Sequence, residues 1–267
     1  MDVIVWNSQG NKWDTLWTSY LAPIAPANQD LVGLIVESGW APWVTSGDVV
    51  INNVYWLNTS LTYYDTTNAA ASPFCQAVEA KRRARAYWVP WVANLDAMKT
   101  NTRCSMGAVL LPAKRLVESG TRYNLKKNAL FRRPVFRFDV MKPNDTGAIP
   151  DFSVFLVHLV SGRPNKAQEE MDVLTKTMST LIPQGSSALI VGDMNVDLQT
   201  IAINVPNNWR ILNTGGATQQ SGGELDYGLL YDPNGKFGFS TAAVVQQYKT
   251  GNNQSDHSVM RYTIPLS

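Results

Sequence analysis

Strand-length apolar runs, each ended by Gly, Pro, Asn, Asp or Ser, recur along the whole chain and commit it to a fold rich in β-structure. They are Val3 to Trp6, Leu31 to Val36, Val49 to Trp56, Ala108 to Leu111, Val135 to Phe138, Val154 to Leu159, Ala188 to Val191, Leu225 to Leu230 and Val259 to Tyr262. Helical spacing is clearest from Lys166 to Leu181, where Ala167, Met171, Leu174, Met178 and Leu181 share a face with charges opposite, and it stops before Pro183. Asn11 to Leu21 and Ser72 to Trp88 are further helix candidates, the second opened by Ser72-Pro73, an N-cap followed by proline at the first helical position. Many strands with few intervening helices predict an α/β protein of two packed sheets covered by helices. No repeat, low-complexity tract or composition shift marks a linker, so one catalytic domain over residues 1–267 is the simplest expectation.

Polar side chains cluster at the ends of these runs. Asn7 follows the first, Glu37 the second, His158 lies in the sixth, Asp193 and Asn195 follow the seventh, Asp226 lies in the run after Gly222-Gly223, and Asp256-His257 precedes the last. Strand ends are where a rigid scaffold presents catalytic groups. The chain has only two histidines, and both are in this set. A hydrolase needing one base and one acid near neutral pH needs two such groups. Glu37, Asp193, Asp226 and Asp256, joined by amides and by no thiolate, describe an all-oxygen site that suits Mg²⁺ or Ca²⁺ and disfavours zinc. Each placement also has a plainer reading: a lone histidine is often structural, and Gly192-Asp193-Met194-Asn195 reads equally as a β-turn.

Charge alone decides little. A net charge of +2 and a pI near 8.5 suit a protein that visits a polyanion without requiring one. The apolar runs are far short of the ~20 residues that a membrane helix needs, so no transmembrane segment is expected. The chain enters a strand directly from Met1, with no basic region, apolar stretch or cleavage site, which reads as a signal peptide removed or never present. Cys75 and Cys104 are the only cysteines, and one disulfide or two free thiols fit equally.

Trp6-Asn7-Ser8-Gln9-Gly10, Val36-Glu37-Ser38-Gly39, Val157-His158-Leu159, Gly192-Asp193-Met194-Asn195 and Ser255-Asp256-His257 resemble, in order and spacing, the motifs of the endonuclease/exonuclease/phosphatase superfamily that includes deoxyribonuclease I. Within it, the opening motif, Arg133-Pro134-Val135 and the stretch from Gly222 to Gly228 are similar to the catalytic B subunits of cytolethal distending toxins. Val36 stands where the family usually has Gln, and Met194 and Ser258 also depart from it. The resemblance implies a four-layer sandwich of two mixed β-sheets flanked by helices. It implies a Mg²⁺-dependent endodeoxyribonuclease, with Ca²⁺ or Mn²⁺ as further ions, secreted and acting in a host-cell nucleus with delivery subunits. It gives Glu37 as principal metal ligand with Asn7 and Asp256 nearby, His257 as base oriented by Asp226, and His158 as acid. Asp193 and Asn195 position water and phosphate, and Arg133 contacts phosphate. It leaves the partner of His158 unassigned.

Arg103, Arg132 and Arg137 add to the basic set, and alternation places Arg133 and Arg137 on one strand face. An exposed charged face is the plainer alternative. Lys81-Arg82-Arg83-Ala84-Arg85 is a DNA-backbone contact, a nuclear address or simply a solvated helix face. Sequons at Asn58, Asn144 and Asn253 matter only in a eukaryotic secretory pathway. The competing functions are a phosphoinositide phosphatase built on the same groups and an inactive homologue that only binds. The second should have lost a histidine or a metal carboxylate, and none is lost.

Overall fold

Each apolar run that falls wholly on described residues overlaps a strand whose ends lie within three residues of its own. The computed structural model describes residues 1–24, 31–41, 55–58, 85–90, 103, 105–111, 116–123, 133, 135–141, 150, 152–201, 205–235, 244–250 and 254–265. Cys75, Cys104, Arg132, residues 81–84 and the sequons at Asn144 and Asn253 lie outside them. Two units are distinguished, Met1–Lys114 and Arg115–Ser267.

In the first unit, β1 (Asp2–Asn7) runs parallel to β2 (Leu31–Val36), so both strands end at the same edge. β5 (Ser105–Leu111) pairs antiparallel with β2, β4 (Arg85–Pro90) with β5, and β3 (Tyr55–Asn58) with β4. All residues of β1 and β2 are buried, which is why these two read as unbroken apolar runs and not as alternating ones. The helix expected from Asn11 to Leu21 is present as α1 (Trp13–Thr15), continued by a π-helical segment, Leu16–Leu21, that buries Trp13, Leu16, Trp17 and Leu21. The helix expected from Ser72 to Trp88 needs correction at its end: residues from Arg85 onward are strand β4. There Ala86 and Trp88 are both fully buried, and the two-residue period of a strand face outweighs local helix spacing. Residues 72–84 lie outside the described set.

The second unit holds a six-stranded mixed sheet in the order β10 (Trp209–Leu212), β11 (Asp226–Tyr231), β9 (Ser187–Asp193), β8 (Phe152–His158), β7 (Val135–Met141) and β6 (Leu116–Tyr123). β8 and β9 are parallel and the other pairs antiparallel. In this unit β12 (Val244–Tyr248) also pairs antiparallel with β13 (Val259–Thr263). Helix α2 (Pro164–Leu181) starts two residues before the apolar spacing suggests, because Pro164 supplies a helical φ and lacks only an N–H that the first turn would leave unused. Its Ala167, Met171, Leu174 and Met178 pack with Phe155, Val157, Ile190 and Leu229 of the sheet in one core. A short helix, α3 (Leu198–Ile201), follows β9. No described helix is long and apolar enough to cross a membrane.

Gly192 sits where β9 meets β8 beside the polar edge. Its φ is +140°, and a Cβ there would lie 1.9 Å from the Val157 carbonyl oxygen. That contact is with backbone, so the two strands would have to separate. Gly192→Ala is expected to cost about 3 kcal/mol or more of stability, the sum of backbone strain and overpacking. Urea denaturation measures it; a cost under about 1 kcal/mol would mean that the strands can part freely at this point.

Candidate active site

Strand register builds the centre of the second unit. His158 ends β8, Asp193 ends β9 directly opposite it, and Asp226 begins β11 directly opposite Asp193. Cross-strand partners place their side chains on the same face, so an imidazole and then two acids line up across three adjacent strands. His257 joins this row from outside it. Its Nδ1 lies 2.8 Å from Asp226 Oδ2, and its Nε2 lies 3.8 Å from Asp193 Oδ2 and 3.6 Å from Asp256 Oδ1. Asp193 Oδ2 is also 3.5 Å from His158 Nε2, so one carboxylate oxygen faces both imidazoles. Asp193 is thus an acidic neighbour for the histidine whose partner the sequence left open. All four of these side chains are at most 4% exposed, whereas Asp256 is 38% exposed.

The turn after β9 is tied to the same strands. Asn195 donates its backbone N–H to Asp193 Oδ1 at 2.9 Å and its side-chain amide to the Leu159 carbonyl at 2.9 Å. It does so at φ +50°, a conformation uncommon for a residue other than glycine. Gly192 and Asp193 thus close strand β9, and Asn195 folds back onto Asp193 through its backbone N–H. Tyr227 anchors the next residue by donating its O–H to the Val196 carbonyl at 3.2 Å. Burial, reinforced by Asp197, Asp193 and Glu224, pushes its pKa far up and keeps that donor protonated.

His257 is held by a loop that no motif in the sequence singles out. Gln219 and His257 form an isolated antiparallel bridge, and Ser258 donates its N–H to the Thr218 carbonyl at 2.7 Å. Buried Thr218 accepts the backbone N–H groups of Leu225 and Asp226 on its hydroxyl, each at 2.9 Å, which fixes the start of β11. The Ser221 hydroxyl donates to Gln219 Oε1 at 2.7 Å, which leaves the amide nitrogen 3.4 Å from His257 Nε2 and 3.5 Å from Asp256 Oδ2.

Burial lowers the pKa of His257, but the hydrogen bond and charge of Asp226, with Asp193 and Asp256, outweigh it and raise the pKa from 6.5 to about 9. A raised imidazole pKa contributes stability that is complete below pH 6.5 and is lost as pH climbs through 9. Asp226→Asn removes the strongest upward influence. It is expected to flatten the fall in unfolding free energy between pH 6.5 and 9, measured by denaturant titration at both values. An unchanged slope would mean that another group sets it.

In the first unit, Asn7 and Glu37 stand at the parallel ends of β1 and β2. Ser8, fully buried, holds the two ends together: its hydroxyl is within reach of the carbonyls of Gly10 at 2.8 Å, Glu37 at 3.2 Å and Val36 at 3.3 Å, and the Gly10 N–H donates to the Glu37 carbonyl at 2.7 Å. Both Gln9 and Glu37 have φ of +53°, so strained backbone occurs at the motifs of both units. Ser105 bonds both Ser38 and the Gly39 carbonyl, and the Trp88 indole donates to that same carbonyl at 2.8 Å. Arg103 Nε lies 3.6 Å from Glu37 Oε2, with its own side chain 57% exposed.

Two of the basic residues have structural partners. Arg133 donates to the Leu159 carbonyl at 2.5 Å and reaches the His158 carbonyl and the Ser161 hydroxyl at 3.4 Å each, so it braces the turn behind His158. Arg137 does not share an exposed face with it. Arg137 is buried, bonded to Asp139 at 2.6 Å and to the Leu181 carbonyl, and lies over the Phe155 ring. Asp139 and the end of α2 draw it inward, which alternation alone could not indicate.

Among the described residues, one group of side chains in the second unit could hold a metal. Asp193, Asp226 and His257 offer donor atoms all within 4.8 Å of one another, enough to hold a metal. Glu37 and Asn7 offer only oxygen, which fits a hard cation such as Mg²⁺. In the second unit the short Asp226–His257 contact would compete with metal for both residues.

The fold defined by these two mixed sheets and few helices is the deoxyribonuclease I-like α/β fold, as solved structures of that class show. The chain aligns with the cytolethal distending toxin of Actinobacillus actinomycetemcomitans at 17% identity and a TM-score of 0.61, over 98% of this chain and 97% of that one. CdtB, described as the biologically active subunit of cytolethal distending toxin, aligns at 17% identity and 0.58, over 99% and 97%. The human Nocturnin catalytic domain with bound sulfate aligns at 12% and 0.54, over 99% and 93%. No family model and no curated protein sequence matches the chain.

Proposed function

We propose that the protein is a divalent-metal-dependent phosphodiesterase that nicks double-stranded DNA. The observation that carries this reading is the row His158, Asp193, Asp226 with His257 bonded to its end. It pairs two imidazoles with acids in distinct ways, as hydrolysis of an anionic ester by one base and one acid requires. The motif resemblance and the fold shared with CdtB add support.

His257 keeps its Nδ1–H donated to Asp226, and in the fraction that has lost its second proton Nε2 takes a proton from the attacking water. Asp226 stabilises the imidazolium that results. His158 gives its proton to the leaving 3′ oxygen, while Asp193 and Asn195 orient water and phosphate. Arg103, largely exposed, contacts a phosphate, and Arg133 serves the phosphate side through the turn that it braces. Glu37 and Asn7 are the proposed oxygen ligands of Mg²⁺, and the ion when bound supplies positive charge against the charge that develops on phosphate. Readout is of phosphates and not of bases. Secretion, delivery by partner subunits and action in a host nucleus belong to the same proposal.

The direct test sets conversion of supercoiled plasmid to open circles beside phosphate release from inositol lipids, each with Mg²⁺ and with chelator. Nicking that chelator abolishes is the expected result. Lipid dephosphorylation without nicking would make this a phosphatase, and neither activity would sink the assignment.

A further inference from the structure

Glu170 is a carboxylate where the sequence calls for an apolar residue. It falls on the stripe of α2 formed by Ala167, Met171, Leu174 and Met178, and it is only 2% exposed. An ionisable side chain in such a position is costly unless a donor meets it. A donor does: the backbone N–H of Val160 bonds to Glu170 Oε2 at 2.9 Å. Val160 follows His158 by two residues, just past the end of β8, where the strand ladder no longer satisfies the backbone. The intervening Leu159 is held on both sides, its N–H by the Asp193 carbonyl at 3.0 Å and its carbonyl by Arg133 and Asn195. The backbone groups between His158 and Val160 are thereby held by Asp193, Arg133, Asn195 and Glu170, of which Glu170 is the member supplied by the helix.

We propose that Glu170 is a positioning residue for His158, holding the turn that aims the imidazole at the leaving oxygen. This rests on the reading of His158 as the acid. What the site uses is the acceptor oxygen and its location, so glutamine, which keeps both, substitutes for glutamate, and leucine, of similar size without an acceptor, does not. Displacing a catalytic group by about 1 Å costs about a hundredfold in rate.

The experiment compares Glu170→Gln and Glu170→Leu with wild type by plasmid nicking in Mg²⁺ and by the imidazole proton resonances, of which a chain with two histidines gives two sets. Glu170→Leu should lower kcat on the order of a hundredfold with KM within about threefold, and Glu170→Gln should stay within about threefold of wild type in both. The His158 resonances should move in Glu170→Leu while those of His257 stay in place. The proposal is overturned if Glu170→Leu keeps wild-type kcat, if Glu170→Gln falls as far as Glu170→Leu, or if the His158 resonances do not move. Should wild type cleave no phosphodiester, the functional reading fails by itself and the resonances still decide the positioning role. Should Glu170→Leu not fold, Glu170→Gln decides alone: it must keep the Val160 amide proton in slow exchange and His158 unmoved, and loss of either refutes the proposal.

Discussion

His257→Asn should lower the rate of plasmid nicking about a thousandfold, the scale of a lost general base, while changing stability by only about 1 kcal/mol. Asparagine is the informative replacement because its amide can stand near Nδ1 and go on donating to Asp226, now 2.8 Å from the ring. Alanine would leave that buried carboxylate facing Asp193 with no donor and would confuse folding with chemistry. The same logic separates the two members of the pair. Asp226→Asn leaves a basic imidazole in place, so its loss of rate should be smaller than that of His257→Asn. Adding His158→Ala to His257→Asn should cost less than the product of the single effects, since base and acid serve one transition state. Equal rates for His257→Asn and wild type would remove His257 from the chemistry.

Glu37→Gln is expected to weaken the response to Mg²⁺ on the order of a hundredfold or more, with part of the activity recovered at high Mg²⁺. The substitution is nearly isosteric, and the bonds that hold residue 37 are made by its backbone carbonyl to Ser8 and Gly10. The strand end should therefore stay in place while the site loses one negative charge. Arg103, 3.6 Å from the carboxylate, would then lose its acidic neighbour, and unaided binding of phosphate should tighten slightly. A Mg²⁺ titration of nicking reads the effect. Superimposable titrations for Glu37→Gln and wild type would show that the ion is held elsewhere, with the Asp193, Asp226 and His257 cluster the next candidate.

The strands that the sequence announces most plainly are those with both faces covered. β1, β2, β8 and β9 are buried at every residue and read as plain apolar runs. Of the strands that it hides, β4 is the one that reads as helix, and β6, β10 and β12 stand at the ends of their sheets. There polar residues break the pattern, as in Leu-Val-Glu-Ser-Gly-Thr-Arg-Tyr of β6, which also carries a register shift between Glu118 and Thr121. The site was legible to the extent that its residues sit at strand ends. His158, Asp193 and Asp226 are brought together by register, a property of the sheet that strand-end placement foreshadows.

What was not legible is support from outside the motifs. Gln219 meets His257 through a loop whose course depends on Thr218 and Ser221, and no spacing rule marks it. Arg137 reads as a phosphate contact or a surface charge until Asp139 and the Leu181 carbonyl are seen to hold it. Glu170 does leave a trace, because it is the one acidic residue on the apolar stripe of α2, although the spacing of that helix predicts its charges on the opposite face.

The claim on which the account rests is that His257 and His158 act as base and acid, and single-turnover nicking measured against pH tests it most directly. Wild type should give a bell-shaped profile, the rising limb absent in His257→Asn and the falling limb absent in His158→Ala. If both limbs survive in both variants, the protons are moved by other groups and the two-histidine mechanism is wrong.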